Sequence, residues 1–166
     1  YTIARSKGAD GGYVIKLNGK NRGEEMATYR KDGLLAERSG FGLPLTAFDY
    51  QFGANGVEIA ASSSAGLRKT KLSLAGYPLS RTWNGKDLES WSWHANGKPA
   101  TYTQPAGTAT YSYNKGLLSG ITYKGSREPV PQVVIKRHGN GVINTIEDGS
   151  GKRRLEYDGL RLKSET

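Results

Sequence analysis

Large apolar residues recur along the chain in short alternating runs: Tyr50 and Phe52, Leu72 and Leu74, Trp91 and Trp93, Tyr111 and Tyr113, Leu155 and Tyr157. A gap of one residue puts both members of a pair on the same face of an extended strand. Glycines punctuate the runs at Gly33, Gly56, Gly76, Gly97, Gly116, Gly141 and Gly159, at intervals of 18 to 25 residues. A second glycine series follows seven to ten residues behind the first, at Gly40, Gly66, Gly85, Gly107, Gly125 and Gly151. Two interleaved turn series make each repeat a β-hairpin. The expected fold is all-β: about seven antiparallel β-hairpin repeats with a period of about 21, forming an elongated ribbon or part of a spiral β-shell.

Turn chemistry points the same way. Asp32-Gly33, Asn55-Gly56, Asn84-Gly85, Asn96-Gly97, Asn140-Gly141 and Asp158-Gly159 are dipeptides that accept positive φ at both central positions, so type I′ turns are expected. Tyr157-Asp158-Gly159 reads as tight and Phe52 to Gly56 as a loop two residues longer. Asn114-Lys115-Gly116 reads as a three-residue loop with a glycine bulge. Prolines 44, 78, 99, 105, 129 and 131 fall at strand starts or outside strands. Pro78 and Pro99 stand two residues after a turn glycine, where bulges are expected. No window of eleven residues keeps a helical period free of glycine and proline, which leaves no room for helix. Residues 1–25 form an irregular lead-in with a degenerate hairpin around Tyr13-Val14-Ile15-Lys16-Leu17, and residues 26–166 form the array. Neither end carries the polar cap an array needs, so the chain is expected to be a section of a larger one.

The repeat itself has a likeness. Tyr157-Asp158-Gly159-Leu160-Arg161-Leu162, Tyr113-Asn114-Lys115-Gly116-Leu117-Leu118, Tyr29-Arg30-Lys31-Asp32-Gly33-Leu34 and Trp93-His94-Ala95-Asn96-Gly97-Lys98 resemble the tyrosine-aspartate (YD) repeat of the Rhs family. The likeness covers residues 26–166 in pattern; Leu74-Ala75-Gly76 and Arg137 to Gly141 lack the tyrosine. It implies a β-ribbon wound into a spiral shell, as in Rhs polymorphic toxins, Tc toxin cocoons and teneurins, where the shell encloses a toxin domain or serves adhesion. The shell of that family does not itself catalyse. Its autoproteolytic closing region is proline- and aspartate-rich, and this chain contains no Asp-Pro dipeptide.

Composition narrows the partners. Hydrophobic residues make up 36%, alongside 23 glycines and ten tyrosines, a balance suited to short strands with one wet face. The net charge of +9 would suit nucleic acid, but apart from Arg68-Lys69 with Lys71 and Lys152-Arg153-Arg154 the cations are scattered singly. Scattered lysines instead oppose edge-to-edge aggregation, so a nucleic-acid partner is not expected. There is no cysteine and no apolar run long enough to span a bilayer.

Catalytic chemistry finds no purchase. His94 and His138 flank turns in different repeats, too far apart to share a metal and without a third ligand. Glu24-Glu25 and Glu147-Asp148 are adjacent pairs whose members point to opposite faces. Ser62-Ser63-Ser64 is a turn approach with no histidine partner, and no glycine-rich segment has phosphate-loop spacing. The aromatic set Trp83, Trp91, Trp93, Tyr102, Tyr111, Tyr113 and Tyr123 is different: its same-face members would form a ladder that packs strands or, if exposed, stacks a ligand. Equivalent positions elsewhere hold Leu72, Leu74 and Leu155, which favours packing. The expectation is therefore a non-enzymatic structural module of a secreted or cell-surface shell, without cofactor or metal, whose partners are further repeats or domains of a parent chain and an enclosed toxin domain. The alternative is a carbohydrate-binding or adhesion surface on the tryptophan-rich strands.

Overall fold

The structure, a computed structural model, describes residues 2–8, 10–19, 23–40, 42–125 and 130–166. Among them stand sixteen β-strands and no helix. Strand order in the sheet is the order of the chain, every pairing is antiparallel, and no crossover occurs. Two compact units divide the chain at Leu88 and Glu89. The first holds β1 (Thr2–Lys7), β2 (Tyr13–Gly19), β3 (Gly23–Tyr29), β4 (Leu35–Gly40), β5 (Leu43–Gly53), β6 (Gly56–Ser63), β7 (Gly66–Leu72) and β8 (Pro78–Trp83). β9 (Lys86–Trp93) begins at its end and leads into the second. There follow β10 (Pro99–Gln104), β11 (Gly107–Asn114), β12 (Leu117–Lys124), β13 (Val133–Arg137), β14 (Ile143–Asp148), β15 (Gly151–Asp158) and β16 (Arg161–Glu165).

From β3 onward, every connection has one of the thirteen glycines of the two series at or beside it. The turns themselves are more varied than type I′. Positive φ at both central residues occurs at Asn84-Gly85, with φ 48° and 79°, and again at Lys115-Gly116, with 48° and 77°. The latter corrects the three-residue reading, because Asn114 pairs directly with Leu117 and Lys115 takes the left-handed conformation itself. Ala54-Asn55 and Gly159-Leu160 are both two-residue loops, closed by the pairs Gly53 with Gly56 and Asp158 with Arg161. The expected difference in their lengths is therefore absent, since Gly53 and Gly56 both join the ladder.

Five other turns share a single geometry. The N–H of the first residue donates to the carbonyl four residues on, and the N–H of the glycine at the fourth position donates back to the first residue's carbonyl. This holds for Gly8 with Gly11 and Gly12, Arg30 with Gly33 and Leu34, Ser73 with Gly76 and Tyr77, His94 with Gly97 and Lys98, and His138 with Gly141 and Val142. In all five that glycine takes positive φ, between 78° and 88°, and among the described residues of these turns no other does. The preceding Asx residue has another task, which is why these dipeptides are not type I′: its side-chain oxygen accepts the N–H two residues on. Asp10 accepts from Gly12 at 3.1 Å, Asp32 from Leu34 at 3.0 Å, Asn96 from Lys98 at 3.2 Å and Asn140 from Val142 at 3.1 Å. Where Ala75 occupies that place, Ser73 Oγ accepts the Tyr77 N–H at 3.1 Å instead.

The bulges expected beside Pro78 and Pro99 are present, but proline is not their general cause. The register shifts by one residue opposite Tyr29, Leu72, Trp93, Tyr113, Arg137 and Tyr157, leaving one extra residue on the second strand of each hairpin. Four of these sites have no proline at the shift, so the bulge belongs to the repeat and Pro78 and Pro99 exploit it. Pro129 lies outside the described residues.

Register assigns the faces. In the first unit Tyr13, Tyr29, Phe48, Tyr50, Ile59 and Leu72 share a pleat through Tyr13 opposite Tyr29, Tyr50 opposite Ile59 and Val57 opposite Leu72. Tyr13 and Tyr29 stack at 4.6 Å with Arg5 4.3 Å above the Tyr13 ring, and Arg30 lies 5.1 Å from the Tyr50 ring. These side chains are half-covered by one another. Ala61 and Ala109 are the only buried hydrophobic residues among those described, and no large side chain is fully buried. The apolar pleat is covered laterally by its neighbours and has no second layer from its own unit.

Candidate functional site

Of the seven aromatic residues singled out in the sequence, all but Trp83 lie in the second unit. Trp91 faces Tyr102, Tyr102 faces Ala109 and Ala109 faces Tyr123, a single cross-strand row through β9, β10, β11 and β12. Trp93, Tyr111 and Tyr113 lie on the same pleat, opposite Pro99, Ile121 and Leu118. The row is interrupted at its third member. Ala109, 8% exposed, lies beneath its larger neighbours, so the tyrosines on either side of it do not form an unbroken stack. Trp83 belongs to the first unit, where it ends β8 opposite Arg68 and lays its ring edge against Gly66.

Two of these rings, Tyr102 and Tyr113, have their hydroxyls engaged. Trp91 and Tyr102 stack at 5.4 Å with planes 30° apart, and the Tyr102 hydroxyl donates to Glu89 at 3.2 Å and reaches Gln104 at 3.4 Å. Tyr113 donates to the Pro99 carbonyl at 3.0 Å, receives the edge of His94 at 5.6 Å, and has Lys98 Nζ 5.4 Å from its ring. Lys98 then donates to the Gly116 carbonyl, tying the turn after β9 to the turn after β11. Burial pushes the Tyr113 phenol pKa up, with a further rise from neighbouring Tyr111. A raised phenol remains a neutral donor over the ordinary pH range, which suits a structural bond better than acid–base work.

Other candidates occupy structural positions. His94 and His138 are each the first residue of a five-residue turn, in connections separated by four strands. Among the described residues no three of His, Asp and Glu lie close enough together to hold a metal ion. Glu24 pairs with Lys16 at 3.3 Å and Glu25 with Arg38 at 2.5 Å, on opposite faces of β3. Ser63 Oγ accepts the Ala65 N–H at 3.2 Å, closing the turn that the serine run approaches.

Grooves open where neighbouring hairpin tips part. One of about 440 Å³ lies between the tips of β11–β12 and β13–β14, and another of about 740 Å³ between those of β13–β14 and β15–β16. Neither is marked in the sequence: the residues of the second are distributed over two turns and two bulges with no common motif, and only the register brings them together. The chain matches no protein-family model and no curated protein sequence.

Proposed function

We propose that this chain is a non-catalytic structural module, a stretch of β-hairpin wall from a secreted or cell-surface shell of the Rhs type that encloses or presents an effector domain. One observation carries the reading: in each unit a meander of hairpins leaves its apolar pleat without a covering layer. A face of that kind lowers its free energy when it borders an enclosed space or another domain. The opposite pleat bears solvated groups such as Lys69 and Lys71 around Glu58, and Ser92 against Thr101 at 2.6 Å. Trp91, Tyr102 and Tyr113 fit the same reading, because their ring faces or hydroxyls are spent on neighbours across the strands. The carbohydrate-binding alternative on Trp91 and Trp93 has no comparable support.

Intact mass and peptide mapping of the natural polypeptide test the proposal. The expected result is a considerably longer chain carrying a further domain that resists protease as long as the repeats are intact. A natural chain of these residues alone, folded and monomeric, would overturn it.

A further inference from the structure

Pairing of β14 with β15 runs from Asp148 opposite Gly151 to Thr145 opposite Arg154 and stops there, although β14 begins at Ile143 and β15 continues to Asp158. Past Arg154 the two strands part, and the β13–β14 and β15–β16 tips splay around the groove of about 740 Å³. Because the strands diverge, side chains of both pleats rim the opening. Leu155 and Tyr157, both half-buried, come from one pleat, and Arg154 and Glu156, both exposed, from the other. The two bulge residues, Asn144 and Lys163, and the turn residue His138 complete the rim.

The rim is chemically unspent. Arg154, Lys163, Asn144 and His138 make no side-chain hydrogen bond or ion pair among the described residues, and half-buried Asn144 has a whole amide to satisfy. The neighbouring groove, one repeat earlier, is dealt with by the chain itself: Arg137 reaches into it, donating to the Gly141 carbonyl at 3.0 Å and to the Leu118 carbonyl at 3.4 Å. No residue does this in the larger groove. Its two fixed cations, Arg154 and Lys163, face a single carboxylate, Glu156, which accepts the Ser164 hydroxyl at 3.1 Å.

We propose that this groove binds an acidic oligosaccharide. Arg154 can grip a sugar carboxylate through two parallel N–H bonds, with Lys163 supplying the second positive charge. Asn144 and Glu156 offer the donors and acceptors that vicinal hydroxyls require, and the Tyr157 ring with Leu155 offers an apolar wall to a pyranose C–H face. The volume lies within the roughly 300–1,000 Å³ of small-ligand sites. The inference is independent of the shell reading, since a wall segment and a free ribbon would both carry it.

Titration calorimetry of the full chain with tetragalacturonate, against neutral cellotetraose and sodium sulfate, tests it. Saturable binding of tetragalacturonate is expected, weakened at least about tenfold by Arg154→Gln and by Lys163→Gln and unchanged by Lys71→Gln, with no saturation by cellotetraose. Both rim substitutions should leave the far-ultraviolet spectrum and melting curve unchanged, since neither side chain has a partner to lose. If a variant nevertheless misfolds, amide shifts of residues 138–144 and 154–163 in the unaltered chain decide, and they must move with tetragalacturonate. Absence of binding, equal binding by the rim variants, equal binding of cellotetraose, or displacement by sulfate at equal concentration would each overturn the proposal.

Discussion

Gly33 and Gly56 look alike in sequence, yet they are required for different reasons. Gly33 has φ 83° and nothing within 4 Å of where a Cβ would stand, so only its backbone conformation resists substitution. Gly56 has φ 135°, and a Cβ there would lie 1.9 Å from the Leu72 carbonyl oxygen on β7. Gly33→Ala is therefore expected to cost about 1–2 kcal/mol, the strain of the left-handed region, whereas Gly56→Ala should cost about 3 kcal/mol or more because a strand must also move. Urea denaturation gives both values, and equal losses would show that the strands around Gly56 yield freely. The exceptional turn at Ser73 allows a sharper test. Ser73→Ala should lose about 1 kcal/mol by orphaning the Tyr77 N–H, and adding Ala75→Asp should restore most of it by supplying the acceptor used in the other four turns. The glycine positions were legible because positive φ leaves few alternatives to glycine. The turn class was not, since an Asx-Gly pair does not reveal whether the Asx residue contributes its backbone conformation or its side-chain oxygen.

At the scale of the strands, alternation was enough to place Trp91, Trp93, Tyr111 and Tyr113 on one pleat, but the rows themselves depend on register. The shift opposite Trp93 places Tyr102 against Trp91, and a bulge requires no particular residue type that a sequence could announce. A double-mutant cycle on Trp91 and Tyr102, each replaced by Leu, should give a coupling of about 0.5–1.5 kcal/mol. Coupling near zero would mean that their stacking adds nothing beyond ordinary burial. The opposite pleat is held by charge. Hydrogen bonding from Lys69, at 2.8 Å, lowers the Glu58 pKa below its ordinary 4.5, with the Lys69 and Lys71 charges adding to the effect against desolvation. A carboxyl lowered in the fold adds stability above its unfolded value, and that stability is lost as pH falls through the lower folded value. Thermal melts should accordingly show a smaller loss for Glu58→Gln than for the unaltered chain between about pH 6 and pH 3. An identical acid limb in both would show that Glu58 adds no pH-dependent stability.

For the whole molecule, fold class and the order of the hairpins follow from the spacing of two glycine series, because each connection is local and joins strands that pair directly. The groove between the β13–β14 and β15–β16 tips was not legible, since it arises where pairing stops and no residue pattern marks that stop. Whether these hairpins wall in another domain is decided by electron cryomicroscopy of the natural polypeptide. The pleat bearing Trp91, Tyr102, Tyr111 and Tyr113 is expected to face an enclosed space occupied by a separate domain. That pleat lying open to solvent, or packed against a second copy of the same hairpins with nothing enclosed, would contradict it.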